Sequence, residues 1–453
     1  MTTIDSSSSS EPPTSDETPG THGATGTADE TALQGPPAST IDGEWQNPRR
    51  GFLFFLGMAA IAGGMAQLVP AVLTLSLKAN ALDPENATTI LSTVVAISAA
   101  FGLVAAPAFG RVSDRITWRG GRRRPLLLLG AILFLIGAPL SYAAANTVTL
   151  TLAGIFTTLG FTAVTVACTA ILADQYSPDR RGPASAVIGL AMPVGAVVGL
   201  FIAQLVSGSL LAQFLLPAGI GSLSALLLAA RLPDRAITRA EVPSMKVRDL
   251  LGTFWVNPLA HPSFGWAWWS RLLIFFGVAA VQAYQAFYLI IRLGYSPAEV
   301  SGAVFLSTLM LTGTALIFAP IAGKISDRVG RRKPFVIAAA LIFAVGLTIV
   351  TIATDYSMFL VAMAVVGLGQ GVYFAVDLAL ISEILPDKSN IAKDMGIMGL
   401  ASTLPSSVVP AIAPLLLAIG AADGEQNFSA LFLTGAIAGL LGAAFIIPIK
   451  QVR

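Results

Sequence analysis

An acidic residue within an apolar stretch marks the position where chemistry is easiest to place in this sequence. Asp377 lies in the apolar run 357–381. A carboxylate inside a membrane costs about 2.5–3.5 kcal/mol, so it should face a cavity. Gln370 and Tyr373 precede it at helical spacing, which puts the three side chains on one face. We predict that Gln370 and Tyr373 bind a substrate and that Asp377 carries a coupling proton, because protonation would neutralise the carboxylate.

A second polar stripe occupies the equivalent place in the first half of the chain, 208 residues earlier. The amide, hydroxyl and aromatic groups of the two stripes and of spans 1 and 7 suit a neutral, hydroxyl-rich solute, because they donate and accept hydrogen bonds without a counter-charge. The alternative is that these side chains only bridge neighbouring helices, at about 0.6 kcal/mol each. The further candidate substrate-binding residues are Thr162, Thr165 and Thr169 of this stripe, together with Gln67, Gln282, Gln285 and Tyr288.

The elements that must position these residues are long apolar runs. The chain has 453 residues, of which 55% are hydrophobic and only 11% charged, so lipid must be the solvent for most of it. We predict an all-α membrane protein with twelve transmembrane helices in two pseudo-symmetric six-helix bundles. The predicted spans are 51–77, 87–109, 125–145, 149–173, 186–207, 210–230, 268–291, 299–322, 334–354, 357–381, 395–419 and 428–449.

Positive charge is distributed unequally between the loops. Of the 27 Lys and Arg residues, all but Lys78 and Arg292 fall on the side that carries both termini. The positive-inside rule therefore predicts a multi-pass protein of the cell (inner) membrane with both termini cytoplasmic. This count places Arg271 at the edge of the central loop. No Lys or Arg lies deep in a predicted span, although Arg271 could approach Asp377 from the start of the seventh.

Two loops repeat each other and divide the chain. Residues 110–115 (G-R-V-S-D-R) match 323–328 (G-K-I-S-D-R), and R-R-R-P at 122–125 matches R-R-K-P at 331–334. Because order and offset persist, chance similarity is a poor explanation. An acidic, Ser- and Pro-rich segment precedes the first run and should not fold. The predicted domains are a disordered cytoplasmic tail (1–48), an N-terminal six-helix bundle (49–230), a cytoplasmic linker (231–267) and a C-terminal six-helix bundle (268–453).

These doubled loops resemble the loop motif of the major facilitator superfamily, and the resemblance covers about 49–449. The longer first loop, D-R-I-T-W-R-G-G-R-R-R-P, is similar to that of the glycoside–pentoside–hexuronide cation symporters and sucrose-transporter-like proteins. The resemblance implies that spans 1, 4, 7 and 10 line a central cavity. It also implies a gating role for Asp114, Arg115, Arg122, Arg123, Asp327, Arg328, Arg331 and Arg332; alternatively, the arginines only set topology and contact lipid phosphates.

Together these features predict a secondary active transporter that moves a small polar, sugar-like solute by alternating access, coupled to protons. One alternative is a proton-coupled exporter of drugs or metabolites, although residues 189–199 lack the G-P-x-x-G-G element common in such exporters. Another is a transporter-like sensor that moves nothing.

We expect no enzyme activity and no cofactor, because no nucleotide loop or nucleophile triad is present. Two histidines and one cysteine, all far apart, argue against a metal site. The expected partners are the solute, a proton as coupling ion and the lipid bilayer, with no nucleic acid, and we expect a monomer.

Overall fold

The computed structural model describes residues 51–177, 180–234, 261–384, 391–421 and 426–449, with residues 40, 41, 44, 45 and 48 of the preceding segment. All the helices belong to one unit of the chain, residues 37–453. Two short antiparallel strands, Thr40–Ile41 and Glu44–Trp45, lie in the segment predicted to be disordered. The rest of that tail and most of the predicted linker lie outside the described residues.

Twelve helices in the described residues are long and apolar enough to cross a membrane, which confirms the predicted fold class. Their bounds are, for spans 1 to 6, Phe52–Leu82, Ala87–Ser113, Arg124–Ala143, Thr147–Gln175, Arg181–Leu205 and Leu210–Arg231. For spans 7 to 12 they are Pro262–Arg292, Val300–Val329, Lys333–Ile352, Tyr356–Ile384, Ile391–Thr403 continued by Pro405–Ala418, and Phe428–Ile446.

Proline accounts for several breaks in these helices. Span 1 changes to a π-helix over Pro70–Thr74, and span 11 is divided at Leu404, directly before Pro405. Proline lacks the backbone N–H that would continue the helical ladder, so local rearrangement is needed at these points. Span 7 also contains a π-helical segment, Tyr288–Arg292, at its end.

Span 7 begins six residues earlier than predicted, at Pro262 instead of 268. Pro262 occupies the first helical turn, where its missing N–H is harmless. The C-terminal bundle therefore starts at 262. Arg271 was expected at the edge of the central loop, but it is the tenth residue of this helix. Trp268, on the same helix, donates a hydrogen bond from Nε1 to the carbonyl oxygen of Ile397 in span 11, 2.9 Å away.

The two bundles repeat the same packing. Span 4 packs on spans 2 and 3, as span 10 packs on spans 8 and 9, and span 6 packs on spans 1 and 3, as span 12 packs on spans 7 and 9. Each bundle is thus built around equivalent helix pairs, in agreement with the repeat in the sequence.

Glycine allows the same close approach in both halves. A Cβ atom on Gly137 of span 3 would lie 3.0 Å from the backbone nitrogen of Thr157 in span 4. A Cβ atom on Gly346 of span 9 would lie 2.7 Å from the nitrogen of Val366 in span 10. Gly346 follows Gly137 by 209 residues, and Val366 follows Thr157 by the same number. The repeat therefore extends to the close backbone contacts that small residues make possible.

We call the ends of the helices next to the two termini the near end, and the opposite ends the far end. The halves contact each other through span 2 with span 11, span 5 with span 8, and span 1 with span 7. The part of span 11 that contacts span 2 is Pro405–Ala418, and the part of span 1 that contacts span 7 is Pro70–Thr74. Both segments belong to the far halves of their spans, so the two bundles are joined there.

The contact at Gly346 can be tested by substitution. We expect Gly346→Ala to lower the stability by about 1–3 kcal/mol, because the added methyl group would overlap the backbone of span 10. Gly313→Ala is the control, since a Cβ atom at Gly313 meets nothing within 4 Å. The measurement is thermal unfolding of the two purified variants in detergent. Equal unfolding temperatures would contradict the prediction.

Candidate functional site

The carboxylate of Asp377 forms an ion pair with Arg271 inside the C-terminal bundle. The Nη1 atom of Arg271, on span 7, donates to Oδ2 of Asp377, on span 10, at 2.6 Å. The side chains are 18% and 11% exposed, respectively. With a rise of 1.5 Å per residue, both residues lie about 10 Å from the midpoints of their helices, toward the near end. The pair thus lies between the centre of the bundle and its near end.

Aromatic side chains surround this ion pair. Tyr373 hydrogen-bonds to Asp377 from one turn earlier on span 10. The guanidinium carbon of Arg271 lies 5.4 Å from the centroid of the Phe275 ring, in cation–π geometry. Phe275 in turn packs edge-on against Tyr373, with 6.2 Å between centroids. Each charge therefore has a partner, as a charge out of water requires, while Nε of Arg271 is buried without one.

The sequence placed Arg271 near the start of the predicted span 268–291, counted it at the edge of the central loop, and suggested that it could approach Asp377. The ion pair confirms this approach and places Arg271 deeper in its helix than expected. The signal that would have placed it deeper is Pro262, a favourable first-turn residue, followed by an aromatic stretch that continues the helix.

Three of the predicted substrate-binding residues lie at mid-depth on three different spans. Gln67 is the sixteenth of 31 residues in span 1, Gln370 the fifteenth of 29 in span 10, and Thr162 the sixteenth of 29 in span 4. Gln67 and Gln370 are half-buried, and Oε1 of Gln67 is buried without a partner. Thr162 is buried and bonds to its own helix, at the carbonyl of Thr158.

The other candidates differ in their surroundings. Thr165, Thr169 and Gln282 are exposed, and the hydroxyl of Thr169 bonds to the carbonyl of Thr165. Gln285 is buried, with Nε2 3.3 Å from Oγ1 of Thr308 and Oε1 buried without a partner. The exposed members and the unpartnered amide oxygen leave hydrogen-bonding capacity that the bundle itself does not use.

Tyr288 is fully occupied within its own bundle. Its hydroxyl lies 2.8 Å and 3.0 Å from the carbonyl oxygens of Val350 and Ala353 on span 9. Its ring stacks on Phe359 at 5.2 Å and meets Phe432 edge-on. This environment explains its burial, and Tyr288 is not part of the solute site proposed below.

A small cavity lies beside Gln370 and Tyr373, among spans 7, 9 and 10. At about 10 Å³ it holds roughly one water molecule. Its walls include Phe275 and Phe343. A sugar-sized molecule does not fit in this cavity.

The N-terminal near-end loop forms an ion-pair network. Asp174, at the end of span 4, accepts hydrogen bonds from Nη2 of Arg122 and Nε of Arg123, both at 2.8 Å. Nη1 of Arg123 also lies 2.7 Å from Oδ1 of Asp114, at the end of span 2. The network therefore ties spans 2, 3 and 4 together within one half through charge-assisted bonds, with the carboxylate of Asp174 bridging two guanidinium groups.

A second carboxylate caps the start of span 3 from a distant part of the chain. Oδ2 of Asp234, three residues beyond span 6, accepts from the backbone nitrogens of Arg123 and Arg124 at 2.7 and 2.9 Å. Gly121, with φ of 104°, makes room, since a Cβ atom there would lie 2.2 Å from Cγ of Asp234. Burial, the largest influence, raises the pKa of Asp234, and its backbone N–H partners act in the opposite direction. No local spacing predicts this cap, because the two segments are more than a hundred residues apart.

In the equivalent C-terminal loop, the ion pair among the described side chains is longer and more exposed. Nη1 of Arg332 lies 3.8 Å from Oδ1 of Asp327, whose side chain is 71% exposed. Arg328 and Arg331 are exposed as well, whereas Arg115 of the first loop is half-buried. An exposed pair of this kind contributes about 0–1 kcal/mol. The two loops thus share a sequence motif, but their described Asp–Arg pairs differ in length and exposure.

The dependence of Arg271 and Asp377 on each other can be measured directly. We expect Arg271→Gln to destabilise the protein by about 3–5 kcal/mol, because it leaves an unpaired carboxylate in the interior. The double variant Arg271→Gln/Asp377→Asn should recover much of this loss. Thermal unfolding of the single and double variants measures the coupling.

The matched control for this pair is Asp327→Asn, which breaks the exposed pair and should leave stability nearly unchanged. Additive losses from the two single substitutions at Arg271 and Asp377 would contradict the expected coupling.

Twelve spans in two repeated bundles, with an ion pair inside one of them, define a polytopic membrane protein. The family model of the Major Facilitator Superfamily matches residues 51–317 and 305–452. The chain belongs to this family, which is a family of multi-pass membrane transporters and not of enzymes.

Curated relatives match only parts of the chain. The uncharacterized MFS-type transporter YfiU of Bacillus subtilis is 33% identical over 159 residues, which cover 34% of this chain and 29% of that protein. The multidrug resistance protein MdtL of Citrobacter koseri is 35% identical over 23% of this chain and 24% of its own length. The sucrose transport protein SUC3 of Arabidopsis thaliana is 31% identical over 22% and 20%, respectively. The chain thus aligns with less than a third of each of these three relatives.

Solved structures share the fold over most of the chain. A bacterial homologue of the human lysosomal transporter Spinster, in an inward-facing and unoccupied conformation, superposes with a TM-score of 0.65 at 14% identity, covering 87% of this chain and 94% of that one. A D-xylose–proton symporter superposes with a TM-score of 0.64 at 16% identity, covering 88% and 97%. At these identities the likeness establishes the fold.

Proposed function

We propose that this protein is a secondary active transporter that moves a small polar, sugar-like solute by alternating access, with a proton as the coupling ion. It acts as a monomer in the cell (inner) membrane, with both termini cytoplasmic. The observation that carries this proposal is the ion pair of Arg271 and Asp377, held inside the bundle next to a stripe of polar residues. Ionisable residues at membrane depth are costly and mark ion or substrate pathways.

The solute site of this proposal lies between the two halves at mid-depth. Gln67 and Gln370 present amide groups there, and the threonines of span 4 present hydroxyls. Neutral hydrogen-bonding groups of this kind match a solute that carries hydroxyl groups and no net charge. The residues assigned to it are Gln67, Thr162, Thr165, Thr169, Gln282, Gln285, Gln370 and Tyr373. The partial matches to a sucrose transport protein favour this class of solute.

Asp377 couples the proton, and Arg271 is the group with which the proton competes. In the ionised pair the two charges balance, and spans 7 and 10 are held together at 2.6 Å. Proton binding to Asp377 removes the negative charge, weakens the contact with Arg271 and lets the two spans move relative to each other. Tyr373, bonded to the same carboxylate, links this step to the polar stripe.

The near-end loops act as the gate on the cytoplasmic side. In this conformation, Arg122 and Arg123 pair with acids of their own half. Asp327 and Arg328 of the other half are exposed and can reach new partners when the near end closes. Arg115, Arg331 and Arg332 complete the gating set, together with Asp114.

A proton-coupled exporter is the second candidate function. The partial matches to multidrug resistance proteins favour it. An exporter of amphipathic cations would also use an acidic residue such as Asp377 inside the bundle. The two functions differ in solute and direction, and both keep the ion pair as the coupling site.

A ligand screen separates these candidates. Thermal shift of the purified protein with sugars, nucleosides and amphipathic cations identifies the class, and flux into proteoliposomes with an imposed pH gradient identifies the coupling. Proton-driven flux of a sugar supports the first proposal. Flux of amphipathic cations, with none for sugars, would replace it with the exporter.

Asp377→Asn tests the proton-coupling role. We expect uphill, pH-driven uptake to be lost, because the amide cannot take up and release a proton. Downhill exchange of the solute should continue. Asp83→Asn, a change of a loop carboxylate, is the control and should retain uphill uptake. Full uphill uptake by Asp377→Asn would show that another group carries the proton.

Gln370→Ala tests the solute site. We expect the KM for transport to rise about tenfold through the loss of hydrogen bonds to the solute. Tyr288→Phe should leave the KM unchanged and lower the unfolding temperature, because its hydroxyl bonds only to span 9 in this structure. The reverse pattern would place the solute next to Tyr288 and not next to Gln370.

A further inference from the structure

Two polar contacts between the halves lie at the far end of the molecule. In the first, the hydroxyls of Ser92 on span 2 and Tyr284 on span 7 are 2.6 Å apart. Both side chains are buried, with residue exposures of 2% and 0%. Ser92 already donates its proton to the carbonyl of Thr88 at 2.6 Å. Tyr284 must therefore be the donor of the bond that crosses between the halves.

The second contact joins span 6 to span 8. Nε2 of Gln213 donates to Oγ of Ser301 at 2.9 Å, and its other proton goes to the carbonyl of Ala203 at 3.0 Å. Gln213 and Ser301 are 1% and 0% exposed. Next to Ser301, a Cβ atom on Gly302 would lie 3.5 Å from Nε2 of Gln204 in span 5, so span 5 packs against span 8 at this point. The contact is therefore closely packed as well as hydrogen-bonded.

Both bonds lie at the far end of the molecule, and this position determines which movement of the halves would break them. Ser92 is the sixth residue of span 2, and Ser301 is the second of span 8, so both lie in the far part of their helices. The near-end ion pairs of Arg122, Arg123 and Arg271 each join spans of the same half. Separation of the far ends requires the two cross-half bonds to break, whereas separation of the near ends leaves those three pairs intact.

We infer that Ser92–Tyr284 and Gln213–Ser301 form a far-end latch, which holds the far end closed while the near end is open. The inference rests on the alternating access of the proposed function. A buried hydrogen bond that is exchanged for water on opening shifts a two-state equilibrium by roughly two- to tenfold. The latch thus sets how often the far end opens, without contact with the solute.

Distances between spin labels on the two halves test the latch. Ala145→Cys and Thr354→Cys place labels on the exposed loops between spans 3 and 4 and between spans 9 and 10, at equivalent far-end positions. Cys168→Ala removes the single native cysteine, which is buried. Pulsed electron paramagnetic resonance then measures the far-end separation in detergent and in lipid discs, with no solute and no pH gradient.

We expect Tyr284→Phe to increase the population with widely separated labels roughly two- to tenfold. Ser92→Ala should do the same, and the double variant should match the single ones, because all three break one bond. Ser301→Ala should widen the distribution independently and multiply the effect of Tyr284→Phe. The control is Ser222→Ala, which removes a buried hydroxyl bonded to Ala131 of span 3 within the same half, and it should change nothing.

Unchanged distances in both Tyr284→Phe and Ser301→Ala would overturn the latch. So would an equal change in Ser222→Ala, since this would reflect general loosening of the fold. The result is independent of the solute: a failed flux assay leaves the distances interpretable, and a failed latch leaves the assay of Asp377 interpretable.

Discussion

The need to balance charge away from water governs the interior of this protein. Asp377 and Arg271 come from different helices and meet at 2.6 Å, so neither is left as an isolated charge. This requirement fixes the relative rotation of spans 7 and 10, because both side chains must point at the same place. A pair of this kind adds little to net stability compared with apolar packing, but loss of one partner is costly. The charge balance of such a pair is lost when either charge is removed, and binding of a proton to the carboxylate is sufficient to do so.

Helices within each half pack differently from helices that meet across the interface between the halves. Within each half, glycines such as Gly137 and Gly346 allow backbones to approach closely, and the same helix pairs recur 209 residues apart. Interiors packed in this way transmit movement as rigid bodies and do not deform continuously. The interface between halves combines buried apolar contacts with a few hydrogen bonds and ring contacts, such as Phe201 with Phe305 at 5.4 Å. Larger motion is therefore expected at the interface than within the bundles.

Hydropathy and the repeated loops were sufficient to predict twelve spans, two equivalent halves and the family. They also identified Asp377, because an acid in an apolar run stands out from its neighbours. The depth of Arg271 was harder to assign, since a run of tryptophans blurred the start of span 7. Asp234 was not predictable from spacing, because it caps a helix that lies a hundred residues earlier in the chain. Tyr288 shows the opposite difficulty: its spacing suited a binding stripe, but a tyrosine hydroxyl is also satisfied by carbonyls that tertiary packing brings near it.

The anchoring of Asp234 has a mechanical consequence for the covalent connection between the halves. Its carboxylate holds residue 234 at the start of span 3, so the connection leaves the first bundle from a fixed point and not from a loose end of span 6. When the first bundle rotates, this point of departure moves with spans 3 and 6 as one body.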